Sequence, residues 1–310
     1  MLAVAEGRHA GRSSAGSCLA VDIGGTKVAA GLVDERGQVQ LARKVPTPAT
    51  AEAEVLFAAV VELVDSVRSA GGSGADAPVV CGIGCGGPID SSGLVSPLNI
   101  PAWRSFPLRD RLEEHTGLPT ALDNDAKALA LGEGWRGAAV GVPDYLAMVV
   151  STGVGGGIVL DGRLLDGASG NAGHIGHMIV VPDGRGCACG GRGCLEAEAS
   201  GLALAAITGM APEAAPLDVR QRTGRLVGLA VASVVNLLDL GLAVVAGSVA
   251  LGFGSAFFDA AGAELAERSR ISYAAGARIV PAALGAQAPL VGAAAVGWQA
   301  AGHAVIGGDR

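Results

Sequence analysis

The residues best suited to chemistry fall into four clusters. The most specific is Gly176-His177 followed by Cys187, Cys189 and Cys194 in HMIVVPDGRGCACGGRGCLE. Three thiolates and one imidazole complete a tetrahedral zinc set, and Gly184, Gly186, Gly190, Gly191 and Gly193 let the chain wrap closely round an ion. Four protein ligands leave no open coordination position, so the expected zinc is structural. Pairing these cysteines as disulfides would leave one over. The second cluster is Asp22-Ile23-Gly24-Gly25-Thr26-Lys27, directly after an apolar stretch. Its glycines let backbone N–H groups approach a phosphate, Thr26 can donate another hydrogen bond, and Asp22 can hold a metal directly or through water. A plain hairpin turn is the alternative. A carboxylate at the end of an apolar strand weighs against it, because burial without a partner is costly.

The third cluster, Ser151-Thr152-Gly153-Val154-Gly155-Gly156-Gly157, offers a second anion-binding loop, with no carboxylate nearby to repel a phosphate. Together the two turns favour a nucleotide triphosphate over two flexible hairpins. The fourth, Leu122-Asp123-Asn124-Asp125-Ala126, stands at a strand-to-helix junction, where Asp or Asn serves as an N-cap. Alternatively, one residue caps while another carboxylate faces a cleft as general base for a hydroxyl. Spacing leaves both readings open. Gly82, Gly84 and Gly87 satisfy G-x-G-x-x-G, but the turn Pro88-Ile89-Asp90-Ser91-Ser92-Gly93 follows where a dinucleotide fingerprint needs a helix. No G-x-x-x-x-G-K-[ST] occurs. Cys18, Cys81 and Cys85 read as small apolar core residues, and Trp103, Trp135 and Trp298 are too scattered for base stacking.

The elements that must position these clusters alternate. CLAVDI, VAAGLVD and QVQLARKV read as three strands joined by turns, followed by a helix from about 51 to 70 with Val55, Val60, Leu63 and Val67 on one face. The APVVCGIG strand, a helix over 105–116, a short strand over 120–122 and a helix over 126–135 come next. YLAMVVS and IVLDG flank the second glycine turn and echo the first, which suggests a duplicated architecture. Helices follow near 197–207 and 218–239, then strand LAVVAG, a helix near 255–269, strand ARIVPA and a helix near 290–301. Such alternation implies α/β structure with a partly parallel sheet covered by helices.

Composition bounds the class. The 310 residues suffice for about two domains, and with half of them apolar and 16% charged the chain is globular rather than disordered. A net charge of −7 argues against a phosphate-neutralising surface for nucleic acid. Glycine, at 50 residues, is about twice its usual share of roughly 7%. Mean hydropathy is +0.45, yet no membrane span is convincing: Leu242 to Phe258 is broken at Gly247-Ser248 and reads as strand, turn and helix. Residues 1–17 read as a mobile tail without signal-peptide order, and the cysteine usage fits a reducing, cytoplasmic compartment.

DIGGTK, GIG-x-x-GPID, SPLNIPAW, the Asn124-Asp125 pair, STGVGGG and the zinc signature ending GCLE together resemble the ROK sugar kinases of the actin, hexokinase and Hsp70 superfamily, over about residues 18–302. The resemblance implies two actin-like (ribonuclease H-like) α/β domains with a hinge cleft, over 18–122 and 123–310. The latter carries the zinc loop 177–194, and a last helix near 290–302 packs back on the N-terminal domain. It implies ATP, Mg²⁺ and structural Zn²⁺, with transfer of a phosphoryl group to the 6-hydroxyl of a hexose. Asp125 resembles the general base, with Asn99 and Asn124 as sugar contacts and Glu196 and His177 on the C1 and C2 side. Gly24, Gly25, Thr26 and Lys27, with Thr152, Gly153, Gly155 and Gly156, resemble phosphate contacts; Gly247-Ser248 lies where adenosine is expected, and Asp22 near Mg²⁺.

Two departures bear on the sugar. The family's E-x-G-H becomes His174-Ile175-Gly176-His177, which is similar to the AGHIGH of bacterial N-acetylmannosamine kinases. Gly86 stands where proline is common before Gly87. Glucose is expected first, with N-acetylmannosamine and 3-amino-3-deoxyglucose as alternatives. The family also holds sugar-responsive repressors with an N-terminal helix-turn-helix, for which the 17 residues before Cys18 are too few; a silent sugar sensor is the remaining rival. The expected partners are a small sugar and ATP, without nucleic acid or membrane, in a homodimer or homotetramer.

Overall fold

Apolar β-branched stretches separated by glycine turns form two mixed sheets with the same internal plan. The computed structural model describes residues 16–71 and 77–306. β1 (Ser17–Ile23), β2 (Lys27–Asp34) and β3 (Val39–Pro46) make an antiparallel meander, followed by α1 (Ala53–Ala70), β4 (Pro78–Cys85), α2 (Leu108–Thr116) and β5 (Thr120–Asn124). β4 joins β1 in parallel and β5 joins β4, giving the order β3-β2-β1-β4-β5. After α3 (Asp125–Arg136) the plan repeats. β6 (Tyr145–Val150), β7 (Val154–Leu160) and β8 (Arg163–Leu164) form a meander, and α4 (Leu195–Ala199), α5 (Gly201–Thr208) and α6 (Leu217–Leu238) follow. β9 (Leu242–Ala246), α7 (Ser248–Phe253), α8 (Ser255–Arg268), β10 (Arg278–Pro281) and α9 (Ala288–Ala300) complete the chain. The second order, β10-β9-β6-β7-β8, matches the first when each sheet is numbered from its own first strand. The duplication read from the two glycine turns therefore extends to the whole sheet.

Local departures have physical causes. Ser17, expected in the tail, is buried and pairs with Asp34 as the first residue of β1; residues 1–15 lie outside those described. Val55 is 46% exposed, while Leu56, Phe57, Val60, Leu63, Val64 and Val67 form the buried face of α1. Five residues separate Val55 from Val60, which at about 100° per residue carries Val55 far off that stripe. The helix expected near 197–207 breaks at Ser200, whose extended backbone ends α4 and whose side chain accepts from Ala203 N to cap α5. Leu242 to Phe258 resolves into β9, a turn and two helices, and among the described residues no helix is long and apolar enough to cross a membrane.

α9 packs against the first sheet, burying Leu290, Ala293, Ala294, Val296 and Trp298 beside Cys18, Ala20, Val33 and Val80. A Cβ at Gly82 of β4 would lie 2.0 Å from Ala293 O, so only glycine admits the helix backbone here. The Trp298 indole N–H is shared between the carbonyls of Val33 and Asp34. Cys18, Cys81 and Cys85 are wholly buried, as expected of core thiols.

Candidate active site

The two glycine turns and the Asn124-Asp125 pair converge because each stands at the C-terminal end of a strand, where mixed α/β sheets leave a crevice. Asp22 lies near the end of β1, Gly86 and Gly87 follow β4, Asn124 ends β5, the 151–153 turn links β6 to β7, and Gly247 follows β9. They line one cavity of about 1200 Å³. That exceeds the usual 300–1,000 Å³ of a single-ligand pocket and leaves room for two substrates side by side. Asp22, Gly24, Gly25, Thr26, Lys27, Gly86, Gly87, Asn99, Asn124 and Asp125 line it from one half. Thr152, Gly153, Gly155, Gly156, His174, His177, Glu196, Gly247 and Ser248 line it from the other.

At the strand-to-helix junction the capping reading is met, and the carboxylate beside the cap lines the cavity. Asn124 is the N-cap of α3, its side chain accepting from Ala126 N at 3.0 Å. Asp125 is the first helical residue, and its Oδ1 accepts the same N–H at 2.8 Å. Burial raises the Asp125 carboxyl above the ordinary carboxylate range, and hydrogen bonds from the backbone N–H groups of Ala126 and Asp125 itself oppose that rise. Asp22 is pushed up to about 7 by burial first and by the Asp125 charge second, with Lys27 opposing. A Cβ at Gly84 would lie 3.6 Å from Asp22 Oδ1 and 3.7 Å from Asp125 Cα, so the two acids flank one glycine. The Asp125 charge thus adds to burial in raising Asp22, and a cation near Asp22 would offset that rise.

Around this pair the glycines make space for polar side chains. A Cβ at Gly25 would sit 3.0 Å from Asn99 Nδ2, and one at Gly86 would sit 3.1 Å from Asn99 Oδ1, so Asn99 is held between the two turns. Gly87 faces Asn124 Nδ2 and the His174 imidazole. His174 Nε2 is buried with no hydrogen-bond partner, and burial together with His177 lowers its pKa, favouring the neutral ring. On the other side, Gly247 adopts φ 102° beside Val150, where a Cβ would collide with the carbonyl. The next residue pairs Ser248 Oγ with Ser151 Oγ at 3.0 Å.

One expectation fails here. The second glycine turn has a carboxylate beside it: Glu196 Oε2 accepts from Val154 N at 2.9 Å and faces Gly153. Separation in sequence concealed it, because α4 folds back onto the turn. Glu196 therefore ties up the Val154 N–H, while Ser151 N closes the turn by donating to Gly153 O at 2.9 Å.

The ligand atoms of His177, Cys187, Cys189 and Cys194 lie within 4.8 Å of one another. Cys187 Sγ is 3.7 Å from His177 Nδ1 and Cys189 Sγ is 3.8 Å from Cys194 Sγ. Ligands on a tetrahedral ion with bonds of about 2.3 Å stand about 3.8 Å apart, so this donor set suits zinc. The loop is fixed by bridges between Ile179 and Cys194 and between Gly186 and Arg192, and by Glu198, which accepts from Arg185 N and pairs with Arg222. His177 Nδ1 faces the thiols, so only Nε2 is left for any second contact.

Sequence reading missed several residues. Leu202 and Leu251 line the cavity although 67% and 41% exposed, and Ala286 and Pro289 lie with them. An exposed leucine carries no signal in a sequence until the cavity around it is known. Lys127 and Asn171, which tie the segment before His174 to both halves, were also passed over.

A family model described as the ROK family matches residues 18–300. An N-acetylmannosamine kinase of Citrobacter koseri is 44% identical over 192 residues, 61% of this chain and 63% of that protein. A glucokinase of Streptomyces coelicolor is 42% identical over 194 residues, 61% of this chain and 58% of that protein. The matched parts are thus less than two thirds of either relative. A ROK family glucokinase of Streptomyces griseus, solved with glucose and AMPPNP, is 33% identical and superposes with a TM-score of 0.78 over 91% of this chain and 99% of that one.

Proposed function

This chain belongs to the ROK family, and from that footing we propose that it is an ATP-dependent hexose kinase acting on the 6-hydroxyl, with glucose as substrate. The observation that carries the reading is Asp125: a half-buried carboxylate of raised basicity at a helix start, in a cavity that also holds two glycine turns and a second acid. One Asp125 oxygen is engaged by the helix N–H. The other takes the proton of the sugar hydroxyl as its oxygen bonds to the γ-phosphorus, and the bond from phosphorus to the β,γ-bridging oxygen breaks to release ADP. Backbone N–H groups of Gly25 and Thr26 and of Thr152 and Gly153, which no acceptor among the described residues engages, stabilise charge on the transferring group. Asn99 and Asn124 orient the sugar, with Glu196 and His177 towards C1 and C2. The apolar end beside Leu202, Leu251 and Gly247-Ser248 receives the adenosine.

The two acids around Gly84 fit a divalent cation, and Mg²⁺ held at Asp22 would neutralise phosphate charge. The Cys3His cluster fits a structural zinc that braces the loop beside His177. A homodimer or homotetramer in the cytoplasm belongs to the same reading.

A second reading rests on His174, whose unpartnered Nε2 faces Gly87 and can pair with an N-acyl or amino substituent. It makes the chain an N-acetylmannosamine or 3-amino-3-deoxyglucose 6-kinase. The similarity to the Citrobacter koseri enzyme supports it, and the likeness to the glucokinases supports glucose. Coupled ADP release over glucose, mannose, glucosamine, N-acetylmannosamine and 3-amino-3-deoxyglucose, ranked by kcat/KM, separates the readings. Highest turnover with glucose is expected. ATP turnover independent of any sugar would mark a sensor or regulator instead.

A further inference from the structure

We propose that Lys127 is a positioning residue that straps the 166–174 segment, with His174 at its end, over the sugar side of the cavity. The inference rests on the kinase reading only for the identity of the ligand beneath the strap. Lys127 lies two residues beyond Asp125, does not line the cavity, and has a side chain only 3% exposed. A buried ammonium is costly unless its donors are satisfied. Here its three donors have three acceptors: Asp166 Oδ1 at 2.7 Å, Gly170 O at 3.0 Å and Asp123 Oδ1 at 3.1 Å. Two of these belong to the strap and one to β5, so the lysine ties the first turn of α3 and the end of the first sheet to a segment of the second half.

Two further contacts hold the same segment. The Asn171 side chain pairs with both polar groups of Ile89, accepting from its N–H at 3.2 Å and donating to its carbonyl at 2.7 Å. Ile89 closely follows the Gly86-Gly87 turn, so Asn171 joins the segment to the loop that leaves that turn. Gly173 lies flat on β7, where a Cβ would come within 2.6 Å of Gly156 O. The strap ends at His174, whose free Nε2 faces Gly87. Loosening the strap should therefore displace His174 more than Asp125 or the second glycine turn, which the Ala126 N–H and Glu196 hold separately.

The test combines amide hydrogen exchange on the ligand-free protein with steady-state kinetics for Lys127→Met. The strap amides should exchange faster with β1 to β3 unchanged, and sugar KM should rise about tenfold while ATP KM stays within about twofold. Asn171→Ala should move both readouts the same way, by less, and stands in if Lys127→Met does not fold. Unchanged strap exchange in a folded variant, or sugar and ATP KM rising together, overturns the proposal. If the parent phosphorylates no sugar, the kinase reading falls, and the exchange comparison still decides whether Lys127 holds the strap.

Discussion

Asp22→Asn should make the metal-free and nucleotide-free protein more stable at alkaline pH while abolishing turnover. The reason is the Asp22 pKa of about 7 in the fold, against 3.8 for the free side chain. The folded state binds this proton more tightly than the unfolded one, so ionising Asp22 destabilises the fold. The penalty is absent below about pH 4, grows between pH 4 and 7, and is complete above 7. At about 1.36 kcal/mol per unit, roughly three units amount to about 4 kcal/mol, of which about 2.5 kcal/mol develops between pH 5 and 8. Asparagine has no such titration. Urea unfolding of parent and variant in magnesium-free buffer, compared through their midpoints, should therefore show the variant's advantage growing by about 2.5 kcal/mol from pH 5 to 8. An advantage constant to about 0.5 kcal/mol across that range would refute a raised carboxyl pKa at this position.

Two other predictions concern the frame of the site. Stripping metal from the Cys3His cluster should raise exchange and proteolysis over residues 177–194 and lower activity indirectly, because a structural zinc ties its loop to the fold; full activity in protein shown to be zinc-free would contradict the assignment. Glu133, wholly buried, accepts from Ala138 N at 2.7 Å and from Ala283 N and Leu284 N at 3.2 Å. Glu133→Gln turns one acceptor into a donor facing these amides and should destabilise the protein by about 2 kcal/mol, read as a drop in Tm. It should also raise ATP KM more than sugar KM, since Ala283 and Leu284 lead into the cavity wall at Gly285 and Ala286; equal effects on both would remove that link.

Much of this architecture is legible in the chain because its signals are local. An apolar stretch ending in Asp22 and followed by two glycines can hardly avoid being a strand and a turn, and the Cys187-x-Cys189 spacing with Cys194 brings ligands together over eight residues. The repeated glycine turn likewise foreshadows the shared sheet order. What stayed hidden depends on contacts distant in sequence. Glu196 reaches Val154 across 42 residues, and Lys127 reaches Asp166 across 39. Spacing could not divide Asn124 from Asp125, because adjacent residues at a helix start can each cap; in the fold both accept the Ala126 N–H and line the cavity, and the perturbed carboxyl is that of Asp125. Val55 was misplaced because a run of valines offers several stripes, and only packing selects one.

Asp125 is proposed to remove the sugar proton during phosphoryl transfer. The most direct test of this step is sugar-dependent ADP release by the parent and by Asp125→Asn, at saturating ATP and sugar, with sugar binding measured separately by calorimetry. In the variant kcat should fall by roughly 10²- to 10⁴-fold while sugar still binds. A variant that binds sugar and turns over at nearly the parent rate would contradict it.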